Sequence, residues 1–248
     1  MTTRFRIATA TLLLCSAGSA SAQSVDEIVE KHLAASGGRE ALARLQSRSL
    51  AGTIMLTSPA GDISGTIEVL NVAPNKERTL LTLDLSALGA GMMTFDQRFN
   101  GSTGYVMDSL QGNREITGPQ LDSMRNGSFP SALMNYKERG IALTLAGREK
   151  VGDRDAHVLT LQFRSGPPVR QYFDAQTFLL LKIVASAETP QGDPVEQTTE
   201  FADYRDVDGF RIPFQVKTTS PAQNLTVTLT KVAHNVKVDE SLFEKPAK

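Results

Sequence analysis

Residues 201–213 read FADYRDVDGFRIP, and this stretch decides the fold of the chain. The dipeptide Asp208-Gly209 lies between two runs that are rich in apolar residues. Glycine accepts the positive φ that a tight turn between strands requires, so this pair is a strong short-range signal for a β-hairpin. The stretch therefore predicts two antiparallel strands that are joined at residues 208–209.

The chain after this turn alternates between apolar and polar side chains. Ile212, Phe214 and Val216 point to one side, and a turn is predicted at 221–224. Beyond that turn, threonines alternate with three more apolar residues, Leu225, Val227 and Leu229. A period of two with one apolar side is typical of antiparallel strands that have one buried and one hydrated face. Something must cover the apolar face.

The bulk composition favours one soluble domain with a large core. The chain has 248 residues, of which 40% are hydrophobic and 21% are charged. One all-β domain of this size is ordinary. The formal net charge is -1, so the chain lacks the basic surface that nucleic-acid binding requires, and we expect no nucleic-acid partner.

The N-terminus has the pattern of an export signal. Arg4 and Arg6 precede a short apolar run at 7–15, and Ala20-Ser21-Ala22 forms an A-x-A cleavage site. We therefore predict a signal peptide at 1–22, cleavage after Ala22, a periplasmic location and a single mature domain at 23–248. Lipidation of Cys15 is the alternative, but a bulky residue precedes this cysteine. Cleavage removes the only cysteine, so we expect no disulfide.

The rest of the chain reads as helix, strands, a helical insert and more strands. Ser24 and Glu27 have the spacing of a capping box, and Gly37-Gly38 ends the helix that they begin. A second short helix follows, and strand periodicity starts near residue 49. Between Gly118 and Gly140 we predict two helices, one from Pro119 and one at 131–139.

These elements predict a mainly β (α+β) fold. We count about twelve candidate strands and expect a curled antiparallel half-barrel of about eleven, because twist accumulates along a large sheet. The N-terminal helix and the mid-chain lid helices are the only helical parts available to cover its concave side.

Three segments in this order resemble one family over essentially the whole mature chain. Residues 74–78 match a proline-centred turn after the second strand, residues 99–107 match an Asp-Gly-x-x-x-aromatic hairpin, and residues 201–213 match Tyr-x-x-Val-Asp-Gly-x-x-x-Pro. The chain thereby resembles the LolA/LolB-like superfamily of periplasmic lipoprotein-carrier and outer-membrane lipoprotein-sorting proteins. The resemblance implies a half-barrel with an apolar cavity for acyl chains beneath a helical lid.

One position departs from the family pattern. Carrier members have an arginine just before the proline of the turn, where it holds the lid helix shut by hydrogen bonds. Here that position is Ala73, which has no side-chain donor, and Arg78 is the nearest candidate to replace the arginine.

The predicted cavity has apolar and methionine side chains on both the sheet and the insert. Methionine adapts to ligands of irregular shape. The alternative is that these side chains pack only on one another. The candidates are Leu81, Leu83, Leu85, Met92, Phe95, Phe99, Tyr105 and Met107 on the sheet, and Phe129, Leu133, Met134 and Tyr136 on the insert.

No group of residues has the spacing of a catalytic or metal site. His32, His157 and His234 lie in separate elements, and His157 is expected at a solvated hairpin tip. Three aspartates near the key hairpin could suggest Ca²⁺, but turn formation explains them better. We therefore expect no cofactor, no metal and no catalytic residues.

The sequence as a whole predicts a periplasmic carrier that binds lipid or lipoprotein acyl chains. Its other partners would be a membrane transporter or an outer-membrane acceptor. The alternative is an envelope sensor, or an accessory module of a membrane transporter, that uses the same fold without transporting cargo. An enzyme is the third possibility, and hydrolysis of lipid esters would reveal it.

Overall fold

The computed structural model describes residues 23–59, 61–188 and 194–246. The predicted signal peptide at 1–22 and its cleavage site lie outside the described residues. Three α-helices are present in the described part: α1 (Val25–Ala35), α2 (Arg39–Ala43) and α3 (Gly118–Asn126). Short 3-10 helices occur at Ser86–Leu88 and Glu240–Phe243.

All strands of the described chain form one antiparallel sheet of thirteen strands in the order β6-β5-β4-β3-β2-β1-β13-β12-β11-β10-β9-β8-β7. The half-barrel prediction is confirmed, with slightly more strands than expected. Every neighbouring pair follows the chain except β1 and β13, which join the two halves of the sheet. The strands are β1 (Ser47–Ser58), β2 (Gly61–Val72), β3 (Lys76–Asp84), β4 (Met92–Phe99), β5 (Gly104–Asp108), β6 (Arg114–Ile116), β7 (Ala142–Val151), β8 (Arg154–Gln162), β9 (Val169–Asp174), β10 (Leu180–Glu188), β11 (Pro194–Val207), β12 (Phe210–Thr219) and β13 (Asn224–His234).

The hairpin predicted at Asp208-Gly209 joins β11 to β12. Val207 pairs with Phe210, and the two turn residues have φ values of 54° and 84°. Both values lie in the left-handed region that a two-residue hairpin loop requires. The hairpin also supports α1: a Cβ atom on Gly37 would lie 2.7 Å from a ring carbon of Phe210. Gly37 therefore allows the end of α1 to lie directly against this turn.

Helix α1 covers the concave face of the β7–β13 half. Ser24 caps it by accepting a hydrogen bond of 3.1 Å from the Glu27 N–H, as the capping-box spacing predicts. The His32 ring lies 4.8 Å from the Phe173 ring of β9. The apolar face of α1 belongs to one buried cluster with residues of β8, β9, β12 and β13, including Ile28, Val29, Leu33, Leu161, Phe173, Phe214 and Leu229.

The insert between Gly118 and Gly140 contains one regular helix, α3. The second predicted helix, at 131–139, is wrong, because residues 132–140 form consecutive turns. Their hydrogen bonds have mixed spacing: the N–H of Arg139 donates to Asn135 O, but the N–H of Ile141 donates to Tyr136 O. Tertiary contacts override helical periodicity here, since Leu133 is buried in the core.

No helix within the described residues is long and apolar enough to cross a membrane.

Replacing Leu33 by alanine should destabilise the whole domain. Leu33 is 0% exposed, so truncation leaves a cavity between α1 and the sheet. We expect the free energy of unfolding in urea to fall by about 2–5 kcal/mol. Met55→Ala, at a side chain that is 43% exposed, is the control and should change it by less than about 0.5 kcal/mol. A loss below about 1 kcal/mol for Leu33→Ala would contradict the packing of α1 in the core.

Candidate functional site

The register of β1–β4 arranges the side chains on the concave face of the β1–β6 half of the sheet in rows. Residues that pair directly across antiparallel strands point to the same face. We use the name trough for the surface that these rows form. Its first row is Arg48, Asn71, Glu77 and Phe99, its second is Leu50, Val69, Thr79 and Gln97, its third is Gly52, Ile67, Leu81 and Phe95, and its fourth is Ile54, Gly65, Leu83 and Met93.

Polarity therefore changes along the trough. The first row has a cation, an amide and a carboxyl group beside one phenyl ring, whereas the third and fourth rows have only apolar side chains and glycine. The large side chains of these two rows on β3 and β4 remain partly exposed, and none belongs to the buried core cluster. The β1–β6 half is thus an apolar surface with one polar end.

Helix α3 and residues 127–130 cover the first two rows and leave a cleft of about 590 Å³. The floor of the cleft comes from those rows. Its roof comes from Gln120, Ser123 and Met124 of α3 and from Phe129. Both apolar and polar groups line this space.

The two parts of the insert are held very differently. Helix α3 has no buried side chain. It is held by polar contacts, in which Gln120 Nε2 donates to Gln97 Oε1 at 3.3 Å and Arg125 donates to the Ser102 carbonyl at 2.9 Å. Few buried contacts mean a low cost of local opening. Phe129, by contrast, is buried, and its N–H donates to Pro74 O at 2.7 Å.

Residues 131–140 are anchored to α1 and α2. Tyr136 and Lys137 both bond to the carboxylate of Asp26, and Arg39 donates to the Met134 carbonyl at 2.6 Å. Within the predicted lid, the weakly held part is therefore α3.

Arg48 lies beneath Phe129, with its guanidinium carbon 5.2 Å from the ring centroid. Its Nε atom is buried without a hydrogen-bond partner. Burial lowers the pKa of Arg48 to about 10, although the nearby charge of Glu77 acts in the opposite direction. Arg48 is therefore still a cation at neutral pH.

Glu77 has partners of its own. Its carboxylate accepts hydrogen bonds from Asn71 Nδ2 at 3.1 Å and from Thr79 Oγ1 at 3.5 Å. Burial raises the pKa of Glu77, and those two hydrogen bonds only partly oppose the rise. Among the described residues, no ion pair joins Glu77 to Arg48.

Arg78 does not replace the arginine that the family pattern would place at Ala73. Arg78 points to the convex face, where it binds the carboxylate of Asp96 through two hydrogen bonds of 2.8 and 2.7 Å. Arg98 binds the same carboxylate at 2.9 Å. The arginine next to the insert is Arg48, which comes from a different strand.

Five of the predicted cavity residues lie in the trough or directly above it. Phe99 and Phe129 line the cleft. Leu81, Leu83 and Phe95 belong to the third and fourth rows, where they are partly exposed.

Four more of the predicted cavity residues pack against other parts of the protein. Leu133 is fully in the core, and Met134 and Tyr136 pack against it. Leu85 is buried just beyond the end of β3, and its N–H donates to Gly91 O at 2.7 Å. These four do not line the cleft.

The inward orientation expected for Met92, Tyr105 and Met107 is wrong. Met92 pairs with Asp84 and is 61% exposed, while its neighbour Met93 points into the trough. Tyr105 and Met107 flank the buried Val106 and so point to the convex face, where Lys245 lies over the Tyr105 ring. A shift of one residue in a strand moves a side chain to the opposite face.

The expected exposure of His157 is also wrong. His157 lies within β8 and is 2% exposed, with its ring 5.7 Å from that of Phe178. Burial lowers its pKa. The aspartates of the key hairpin have local partners: Asp203 binds Arg205, Asp206 accepts from the Gly209 N–H, and Asp208 contacts His234.

Solved structures with this fold include proteins named for lipoprotein sorting. A domain named for outer-membrane lipoprotein sorting from Vibrio parahaemolyticus is 13% identical, with a TM-score of 0.57, over 88% of this chain and 94% of that one. A LolA superfamily protein from Nitrosomonas europaea is 14% identical, with a TM-score of 0.57, over 90% and 99%. A DUF1329 family protein from Desulfovibrio piger is 14% identical, with a TM-score of 0.57, over 89% and 97%.

No family model and no curated protein matches the sequence. At the identities above, the structural likeness concerns the fold. The chain has a LolA-like fold, and the resemblance inferred from the three segments is confirmed at that level.

Glu77→Gln should change how stability depends on pH. Burial raises the pKa of folded Glu77 above its ordinary value of 4.5, so the folded protein binds this proton more tightly than the unfolded chain. Stability is then lost as the pH rises from the unfolded pKa through the folded pKa. Removing the group should make the variant progressively more stable relative to wild type between acid and neutral pH.

Urea titrations across this pH range measure the difference in unfolding free energy. Glu68→Gln removes an exposed glutamate from the opposite face of β2 and controls for the loss of one surface charge. If the two variants follow the same pH course, burial of Glu77 does not perturb its titration.

Proposed function

We propose that this protein is a periplasmic carrier that binds acyl chains of a lipid or lipoprotein in the trough, beneath α3. One observation carries the proposal: the large side chains of the third and fourth rows on β3 and β4 form a partly exposed apolar strip, and it lies next to the cleft of about 590 Å³. Pockets for small molecules have volumes of about 300–1,000 Å³. A partly exposed apolar strip of this kind favours a binding surface. The LolA-like fold supports this proposal.

The expected affinity suits a protein that must also release its ligand. A chain of about twelve methylenes would contribute roughly 10 kcal/mol on full burial. Loss of translational and rotational freedom costs at least about 4 kcal/mol. The remainder, roughly 6 kcal/mol, corresponds to a dissociation constant of tens of micromolar.

Opening would involve α3 alone. Arg139 donates to the carbonyls of Asn126 and Gly127 at 3.0 and 2.9 Å, so the chain is fixed where α3 ends. Residues from Phe129 onward stay packed in the core while α3 swings away from Gln97. A ligand that binds the open form better than the closed form shifts the population towards the open form.

Delivery to a membrane transporter or an outer-membrane acceptor is part of the proposal. The alternative, a sensor or accessory module, has the same fold but no cargo. Native mass spectrometry of protein isolated from cell envelopes distinguishes the two. Bound lipid supports the carrier, whereas an empty trough together with a stoichiometric membrane partner supports the module.

Adjacent methionines provide a matched pair of variants. Met93→Asp places a carboxylate in the fourth row, where an acyl chain would have to desolvate it. We expect the affinity for a neutral alkyl ligand such as dodecanol to fall at least about tenfold. Met92→Asp adds the same charge on the opposite face and should leave the affinity unchanged. Equal effects of the two substitutions, measured by displacement of a neutral fluorophore, would contradict binding in the trough.

Tethering α3 should slow ligand exchange. Gln97→Cys and Gln120→Cys, in a Cys15→Ser background, can be joined by a short bifunctional thiosulfonate reagent, since the two side chains touch at 3.3 Å. We expect the release rate of a bound alkyl probe to fall at least tenfold and to recover on reduction. Each single-cysteine variant treated with the same reagent is a control. An unchanged release rate in the tethered protein would show that α3 is not the lid.

A further inference from the structure

We propose that Arg48 is a headgroup site, and that the preferred ligand of the trough is a single-chain amphiphile with an anionic headgroup, either a carboxylate or a phosphate. This inference rests on the proposed function and adds the chemistry and orientation of the ligand. The headgroup lies at the first row beneath Phe129, and the tail extends along the apolar third and fourth rows.

The first argument is that no described acid contacts Arg48 directly; the charge of Glu77 acts on it only from beyond ion-pair distance. Among the described residues, no ion pair or hydrogen bond involves its guanidinium, although Arg48 lines the cleft. A buried charge without a partner is costly and is usually paired in proteins. The acid whose charge acts on Arg48, Glu77, has hydrogen-bond partners of its own in Asn71 and Thr79.

The second argument is the surroundings of the guanidinium. Its central carbon lies 5.2 Å from the centroid of the Phe129 ring, a contact that stabilises the cation but uses none of its N–H donors. Nε is buried without a hydrogen-bond partner, and Arg48 lines the cleft, so its donors are free for a ligand that enters there. Paired guanidinium N–H groups match the two oxygens of a carboxylate or phosphate.

The third argument is the gradient of polarity. From the first row to the fourth, for example from Glu77 to Leu83 on β3, six residues of an extended strand span about 20 Å. An extended alkyl chain advances roughly 1.25 Å per carbon, given C–C bonds of about 1.5 Å, so about sixteen carbons cover this distance. The polar groups lie at one end of this path and the wholly apolar rows at the other. An amphiphile fits this arrangement in one direction only.

The volume of the cleft favours one chain over several. A group of the size of a water molecule occupies about 30 Å³, so a space of about 590 Å³ holds roughly twenty such groups. That is enough for a headgroup and the first part of one alkyl chain, and the remainder of the chain follows the third and fourth rows beyond the cleft. Lys76, Asn75 and Ser128 lie at the edge of the cleft and add polar contacts for the same headgroup.

The test compares ligands that share one tail. Each of three ligands is added at neutral pH to the full chain loaded with an uncharged fluorophore, N-phenyl-1-naphthylamine, and displacement of the fluorophore is measured. The ligands are dodecanoate, dodecyl phosphate and dodecanol. Because a hydrogen bond to a charged group is the stronger kind, we expect both anions to bind about tenfold or more tightly than the alcohol. Acetate and inorganic phosphate, which have the headgroup chemistry without the tail, should not displace the fluorophore at millimolar concentration.

Arg48→Met identifies the residue responsible. Methionine keeps a long side chain beneath Phe129 but cannot donate to an anion. We expect the affinity for dodecanoate to fall to that for dodecanol, while the affinity for dodecanol stays within about twofold of wild type and thereby shows that the trough is intact. Arg44→Met, at an exposed arginine in the connection between α2 and β1, is the matched control and should preserve the preference for anions.

The outcomes separate this inference from the proposed function. Equal binding of dodecanoate and dodecanol by wild type overturns the headgroup site but leaves the carrier proposal in place. A preference for anions that survives Arg48→Met overturns the assignment to Arg48. Inorganic phosphate alone could displace the fluorophore from wild type and fail to do so from Arg48→Met. Arg48 would then form an anion site that does not require an amphiphile, which also overturns the inference. If no twelve-carbon ligand binds, the proposed function and this inference both fail.

Discussion

The whole structure depends on the need to cover one apolar face of a single, very large sheet. An antiparallel sheet with alternating side chains must bury its apolar side or expose it to a ligand. Here α1 covers the β7–β13 half, and residues 129–141 are anchored beside it. On the β1–β6 half, the described cover consists of residues 127–130 and α3, and α3 has no buried side chain of its own. This uneven cover creates the candidate site.

The polar first row makes the site more than an incomplete core. A row that combines Arg48, Asn71 and Glu77 on a face that is otherwise apolar weakens the burial that would stabilise the fold. Such exceptions to a folding pattern are expected where a protein has a function to perform. The amide of Asn71 binds Glu77 and not Arg48, so the row satisfies its carboxylate and leaves its cation without a partner.

The sequence predicted the strands, most turns and the first helix, because each depends on local chemistry. The Asp208-Gly209 turn and the Ser24 cap are examples. The face assignments at Met92, Tyr105 and Met107 failed, because the phase of a strand depends on its pairing partner and not on its own pattern. The helix at 131–139 failed because tertiary anchors on α1 and α2 determine its path. Arg48 and Glu77 were missed for a related reason: a polar residue in phase with apolar ones is informative only once the register is known.

The division between an anchored half and a loosely covered half also determines what α3 can control. The third and fourth rows lie outside the cleft that α3 roofs, and their large side chains on β3 and β4 are partly exposed. The first row is different, because Arg48 lies beneath Phe129 within the cleft that α3 roofs. Arg139 holds the carbonyls of Asn126 and Gly127, so in the proposed carrier α3 would pivot there without disturbing the core. In that carrier α3 controls the polar end of the trough, and a ligand that extends into the first two rows would leave only when α3 opens. Opening then costs only a few polar contacts, and the stability of the domain remains with α1.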